Sequence, residues 1–120
     1  MDNSYQKLEV RKKAMDFVDA IYTITKSFPK NEYSLIDQVK RSASSIAANI
    51  AEWDQRNTQK ENINFLYIAK WSAAEIQTHL LIAYRQWFIT NEISSKLDEE
   101  ITIILKMLSS LISYKKSHTK

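Results

Sequence analysis

The sequence has no cysteine, no glycine and a single proline. Without cysteine, the chain cannot form a disulfide or a thiolate metal site. Glycine and proline are the residues that most often interrupt helices, so their near absence predicts long helices. Average glycine usage is about 7%, which makes a chain of 120 residues with none unusual. Composition therefore predicts an all-α protein.

Long hydrophobic runs are also missing. No apolar segment approaches the roughly 20 residues that a helix needs to span a bilayer. Residues 1–10 lack the short apolar stretch of a signal peptide. We therefore expect a cytoplasmic protein with no membrane partner. The length of 120 residues predicts a single domain over residues 1–120. The net charge of +3 permits an acidic or nucleic-acid partner without requiring one.

Apolar residues recur at intervals of three and four, which is typical of amphipathic helices. The pattern predicts four helices, over about 5–27, 34–53, 58–88 and 91–114. Pro29 cannot continue a helix, so the first helix should stop just before it. Because the links are only a few residues long, successive helices should run antiparallel. The predicted fold is an antiparallel up-down-up-down four-helix bundle.

Residues suited to helix N-termini stand at three of the predicted starts. Ser34, followed three residues later by Asp37, is expected to cap the second helix. Thr58 begins a capping-box pattern at the start of the third helix. Thr90 or Asn91 should cap the fourth.

The third predicted helix has more apolar surface than one bundle can bury. Besides its core-facing residues, four large side chains lie on its other side: Tyr67, Ile68, Trp71 and Ile82. A helix with two partly apolar sides usually has two neighbours. We therefore predict that copies of the chain associate through these residues. The alternative is that they are the scattered apolar residues found on most protein surfaces.

Four segments carry a family resemblance: Leu8–Phe17, Ser27–Glu32, Gln38–Glu52 and Phe65–Ala83. They resemble the four helix bundle protein family, whose members are encoded in intervening sequences of large-subunit ribosomal RNA genes. The resemblance implies a ring-like homopentamer of antiparallel bundles. A related branch, the accessory variability determinant of diversity-generating retroelements, is a basic pentamer that binds nucleic acid and a reverse transcriptase. The resemblance thus suggests RNA or a reverse transcriptase as a partner.

Five polar residues match the family motif: Arg41, Asn49, Glu52, Arg56 and Glu75. They have two interpretations, which the sequence leaves open. They can form a cluster that contacts a ligand or RNA. They can equally form a hydrogen-bond and ion-pair network between helices two and three, since paired arginines and carboxylates often satisfy one another at helix interfaces.

Basic residues gather near both chain ends: Lys7, Arg11, Lys12, Lys13, Lys115 and Lys116. In an antiparallel bundle, the start of helix one and the end of helix four lie at the same end of the molecule. Five copies would raise the charge of +3 to roughly +15 and concentrate it as a candidate nucleic-acid-binding surface. The alternative is that these are ordinary solvated side chains.

No catalytic apparatus is visible in the sequence. Glu75 and His79 are spaced to share a metal ion, but the additional carboxylates and second Glu-x-x-His motif of di-iron bundles are missing. The only histidines are His79 and His118, and neither follows an arginine at the spacing of small helical ribonucleases. We predict no catalytic residue, no metal and no cofactor, hence a non-enzymatic accessory or scaffold protein. The alternatives are a purely structural or protein-interaction oligomer and, less favoured, a small helical ribonuclease.

The sequence departs from the family pattern at four positions. Relatives usually carry glycine where this chain has Trp53, Trp71 and Trp87, and tryptophan where it has Arg11. We hypothesise that the source organism reads UGA as glycine and some arginine codons as tryptophan. The alternative is divergence within the lineage. Ordinary UGG codons at all three tryptophans would refute the codon hypothesis.

Overall fold

The computed structural model describes residues 4–55 and 59–117, and these form four α-helices with no strand among them. The helices are α1 (Ser4–Thr25), α2 (Tyr33–Gln55), α3 (Gln59–Arg85) and α4 (Asn91–Ser117). The predicted all-α class is confirmed, and the four helices fit a four-helix bundle. The capping box predicted at Thr58 lies outside the described residues.

Each helix packs against two of the other three. α1 contacts α2 and α4, α3 contacts the same two helices, and the described residues of α1 and α3 make no close backbone contact. α1 and α3 therefore occupy diagonally opposite corners. One apolar core runs between the helices, and each contributes a fully buried side chain to it, such as Phe17, Ile46, Ile76 and Ile104. Burying such side chains contributes about 1.5–3 kcal/mol each.

The start of α2 differs from the sequence-based expectation. The helix begins at Tyr33, and the carbonyl of Glu32 accepts the first helical hydrogen bond, from the backbone N–H of Ile36 at 3.0 Å. Ser34 therefore lies inside the first turn, where its hydroxyl accepts a hydrogen bond from the side chain of Gln38 at 3.5 Å. The predicted capping role of Ser34 is wrong, because the helix starts two residues too early for it.

The end of α3 is closed by a Schellman motif. The backbone N–H of Phe88 donates to the carbonyl of Ala83 at 2.9 Å, and that of Trp87 donates to the carbonyl of Tyr84 at 3.0 Å. Trp87 adopts a positive φ of 67°, the left-handed conformation that this motif needs at its turning residue. The helix accordingly ends at Arg85, ahead of the predicted end near residue 88.

The start of α4 has a side-chain cap. The hydroxyl oxygen of Thr90 accepts a hydrogen bond from the backbone N–H of Ile93 at 3.1 Å. Of the two predicted candidates, Thr90 is therefore the N-cap and Asn91 is the first helical residue. At the other end, Lys115 and Lys116 lie in the last turn, where positive charge favours the helix dipole.

Candidate functional site

A carboxylate surrounded by basic side chains lies at one end of the molecule. Asp54, near the end of α2, accepts a hydrogen bond from Arg11 Nη1 at 2.8 Å and stands 3.6 Å from Lys7 Nζ. Lys115, at the end of α4, lies within electrostatic range of Lys7 and Asp54. We call Lys7, Arg11 and Lys115 the basic cluster. Three basic side chains therefore stand near this carboxylate.

The surroundings of Lys115 shift the pKa of its side-chain amine. Partial burial lowers the pKa of this amine below its usual value, and the positive charge of Lys7 lowers it further. The negative charge of Asp54 acts in the opposite direction but does not cancel the other two effects. A second anion at this position would favour the charged form of Lys115.

The other predicted basic residues are distributed around this end. Lys116 Nζ lies over the ring of Tyr67, 5.6 Å from its centroid. Lys12 pairs with Asp16 on its own helix at 3.6 Å, and Lys13 lines a groove between α1 and α4. The fold thus brings Lys7, Arg11 and Lys115 together, while Lys12 and Lys13 have other surroundings.

A second groove between α1 and α4 lies beside the basic cluster. Its volume is about 380 Å³, and it is lined by Gln6, Lys106, Met107, Ser110, Leu111 and Tyr114. This volume falls at the lower end of the range for small-ligand sites. Its lining combines apolar surface with the phenol of Tyr114 and the amine of Lys106.

Small polar residues join α2 to α3. The hydroxyl of Ser42 donates to Glu75 Oε1 at 3.2 Å, and the hydroxyls of Ser45 and Ser72 share a hydrogen bond of 2.8 Å. Asn49 Nδ2 donates to the carbonyl of Ser45 at 2.8 Å. We call these five residues the α2–α3 polar seam. It satisfies polar groups between two helices that approach closely.

The polar cluster predicted from the family motif is only partly assembled in the described residues. Asn49 and Glu75 belong to the polar seam, Arg41 pairs with Asp37 on its own helix, and Glu52 is half-buried. Arg56 lies outside the described residues. The three serines of the seam were not among the predicted site residues. Their small size indicated close helix packing, but their hydrogen bonds depend on the register between α2 and α3.

Glu75 and His79 are close together on α3. His79 Nε2 lies 3.7 Å from Glu75 Oε2, and both ring nitrogens of His79 are buried without a hydrogen-bond partner. Within residues 4–55 and 59–117, no His, Cys, Asp or Glu joins them in a group of three that would hold a metal ion. His118 lies outside the described residues.

Helix α3 presents an apolar stripe to solvent. Ile68, Trp71 and Ile82 are 37%, 65% and 42% exposed, and we call them the α3 stripe. Tyr67, the fourth residue of the predicted interface, is half-buried, with its ring 6.1 Å from that of Trp71. None of the described helices is long and apolar enough to cross a bilayer.

These features define a small helical-bundle protein with three basic side chains gathered around Asp54 near one end of the described helices. The chain belongs to the 23S rRNA-intervening sequence protein family, whose profile matches residues 6–110, as the sequence resemblance predicted. It is also similar to a protein of unknown function from the S23 ribosomal protein family of Bacteroides thetaiotaomicron. That crystal structure has a TM-score of 0.85 and 30% identity, and the match covers 90% of this chain and 98% of that one. No functionally curated protein matches the chain.

Proposed function

We propose that this protein is a non-enzymatic, homo-oligomeric accessory protein of the cytoplasm that binds structured RNA through the basic cluster. The observation that carries the proposal is the arrangement of Lys7, Arg11 and Lys115 around the single carboxylate of Asp54. Phosphate groups are the ligands that such a surplus of positive charge attracts. A nucleic-acid enzyme such as a reverse transcriptase is the second partner that the family resemblance suggests.

The contacts between helices support an antiparallel bundle. Arg11, early in α1, meets Asp54, late in α2. Ser42, midway along α2, meets Glu75, well into α3. A contact between the early part of α1 and the late part of α2 supports opposite directions for these two helices, as an up-down-up-down arrangement requires.

Self-association is supported by the exposed α3 stripe. Large side chains such as Trp71 and Ile82 lose contact with water when a second copy covers them, which is favourable. The family resemblance suggests five copies in a ring. A ring would carry several basic clusters on one rim, so that a long RNA could contact several at once.

The lowered pKa of Lys115 supports an anion as the ligand. Partial burial and the positive charge of Lys7 both lower the pKa of Lys115 and so disfavour its charged form. A phosphate oxygen beside these amines would offset both effects. The neighbouring groove lined by Tyr114 adds an aromatic side chain, which is the kind of group on which unpaired RNA bases stack.

A purely structural oligomer is the alternative, and one observation favours it. Lys7 and Arg11 already have a partner in Asp54. In that case the basic cluster fixes the ends of α1 and α2 against each other and has no external ligand. Such exposed ion pairs contribute little, roughly 0–1 kcal/mol.

RNA binding separates the two functions. We would measure gel shifts of a structured ribosomal RNA fragment at about 50 mM and 200 mM salt. Wild type should bind at the lower concentration and lose affinity steeply at the higher one, because bound phosphates release counterions. The variant Lys7→Gln/Arg11→Gln/Lys115→Gln should bind at least tenfold more weakly.

The matched control removes the same charge at the other end of the molecule, in the variant Lys26→Gln/Lys30→Gln/Lys96→Gln. These three side chains are exposed, and their loss should leave binding within about twofold of wild type if the basic cluster is the site. Equal losses in both variants would mean that only net charge matters. Failure of the oligomeric wild type to bind at about 50 mM salt would refute the RNA-binding function.

A further inference from the structure

Helix α1 carries a second exposed apolar stripe. Leu8, Met15 and Tyr22 are 66%, 53% and 43% exposed, and we call them the α1 stripe. Intervals of seven residues place all three on one face of the helix. Leu8 and Tyr22 are two heptads apart, as are Ile68 and Ile82 in the α3 stripe. Each stripe is therefore about 21 Å long at 1.5 Å per residue.

The two stripes cannot cover each other within one chain. α1 and α3 occupy opposite corners of the bundle and make no close backbone contact. Contact between two identical α3 stripes would leave the α1 stripes in water. Contact between the α3 stripe of one copy and the α1 stripe of the next covers both. Such a head-to-tail contact closes into a ring when its rotation allows.

Charged residues beside the stripes fit the same arrangement. Lys40 of α2 lies next to the α1 stripe, with its Nζ 4.8 Å from the centre of the Tyr22 ring. Glu75 adjoins the α3 stripe, is 60% exposed at its side chain, and accepts a hydrogen bond from Ser42. Because Ser42 is only two residues from Lys40, Lys40 and Glu75 stand within about 3 Å of the same level along the bundle.

We propose that the α3 stripe of one copy packs against the α1 stripe of the next, with Glu75 facing Lys40 across the contact. Copies standing side by side at one level bring these opposite charges together. This inference rests on the self-association in the proposed function and assigns the two surfaces that produce it. With Glu75 opposite Lys40, the Tyr22 end of the α1 stripe meets the middle of the α3 stripe, so the two stripes overlap over about half of their length. The occupant of each stripe is a second copy of this chain, since the same molecule supplies an apolar partner surface with the opposite charge beside it.

Complementation between two variants tests the assignment. Ile68→Lys/Ile82→Lys disables the α3 stripe, and Leu8→Lys/Met15→Lys disables the α1 stripe. All four side chains are exposed, so both variants should keep the circular dichroism of wild type. Light scattering after size exclusion should give a multi-subunit mass for wild type and a monomer mass for each variant alone. An equimolar mixture should give a dimer, because it retains one intact pair of stripes.

Other outcomes identify which statement is wrong. If the α1-stripe variant keeps the wild-type mass, the α1 stripe is not part of the interface and the proposed pairing is overturned. If the two variants are monomeric and their mixture stays monomeric, the stripes do not meet each other and the pairing is again overturned. If wild type itself is monomeric at high concentration, the self-association of the proposed function fails first.

Charge reversal tests the contact between Lys40 and Glu75. Lys40→Glu and Glu75→Lys should each weaken assembly at least tenfold at low salt, because like charges then face each other. The double variant should recover most of the loss. The control Lys96→Glu, at an exposed position on α4, which carries neither stripe, should assemble like wild type. A double variant as weak as the two single changes combined would show that these residues do not meet.

Discussion

Trp87 stands at a position whose backbone suits glycine. Its φ of 67° lies in the left-handed region, where a side chain with a β-carbon costs roughly 1–2 kcal/mol. The indole is 91% exposed and recovers little of that cost through packing. The Schellman bond from Phe88 to Ala83 depends on this turn, so the strain is retained to close the helix.

Replacing Trp87 by glycine should therefore stabilise the protein. We expect Trp87→Gly to raise the free energy of unfolding by about 1 kcal/mol, measured by urea denaturation. Trp71→Gly is the matched control, since Trp71 is also exposed but lies in the interior of α3. There glycine should lower the free energy of unfolding by about 1 kcal/mol. Destabilisation by both changes would contradict the role assigned to the left-handed turn.

The three tryptophans differ in their support for the codon hypothesis. Trp53 is fully buried, with Lys7 over its ring and its Nε1 without a hydrogen-bond partner. Removing so large a buried side chain costs about 3–5 kcal/mol, so glycine at 53 would require the end of α2 to repack. Only at Trp87 does the backbone itself favour glycine. The family pattern predicted glycine at all three positions, whereas the backbone conformation favours glycine at one of them.

At the level of the helices, α2 and α3 approach closely because the residues between them are small. Ser72 is 8% exposed and its hydroxyl meets that of Ser45. Ser72→Leu should lower the free energy of unfolding by about 1–3 kcal/mol, because the isopropyl group that replaces the hydroxyl has no space. Ser72→Ala removes only the hydrogen bond and should cost about 0.5–1.5 kcal/mol. Urea denaturation distinguishes the two, and equal effects would mean that size is not the constraint.

If RNA binds at the basic cluster, the start of α1 and the end of α4 should couple anion binding to pH. The pKa of Lys115 is lowered by burial and by Lys7, so this amine loses its proton at a lower pH than an ordinary lysine. A bound phosphate favours the charged form, and affinity must therefore fall as pH rises through the lowered pKa. Titration with a short RNA should show this decline for wild type. Lys115→Arg keeps its charge and should bind with little change over the same range; an identical decline would place the titrating group elsewhere.

Much of the helical arrangement could be predicted from residue types alone. The apolar periodicity indicated four helices, and Thr90 was one of two predicted caps for α4. The start of α2 was predicted less well, because the helix begins at Tyr33 with its first hydrogen bond to the carbonyl of Glu32, which places Ser34 inside the first turn. The basic cluster was predicted as a set of cations at one end. Asp54 was missed, since its position beside Arg11 depends on α2 continuing to Gln55.

At the scale of the whole molecule, the α1 stripe and the basic cluster are neighbours. Arg11 comes three residues after Leu8 and four before Met15, so it lies on the same face of α1 as the stripe, and it bonds to Asp54 at one end of the bundle. A ring built through the stripes would place every basic cluster at the same rim, beside the contact between copies. Assembly and RNA binding should then be coupled through the number of clusters that one RNA can reach.

The monomeric variant Ile68→Lys/Ile82→Lys tests this coupling. It carries two more positive charges than wild type, so simple net charge predicts tighter RNA binding. The ring arrangement predicts weaker RNA binding by this variant, because each RNA would contact the basic cluster of only one monomer at a time. In a plot of log affinity against log salt concentration, the slope for this variant should be shallower than that for wild type. It should lie at roughly −2 to −3, the value for about three phosphate contacts. Affinity and slope equal to those of wild type would show that a single bundle is the complete RNA-binding unit.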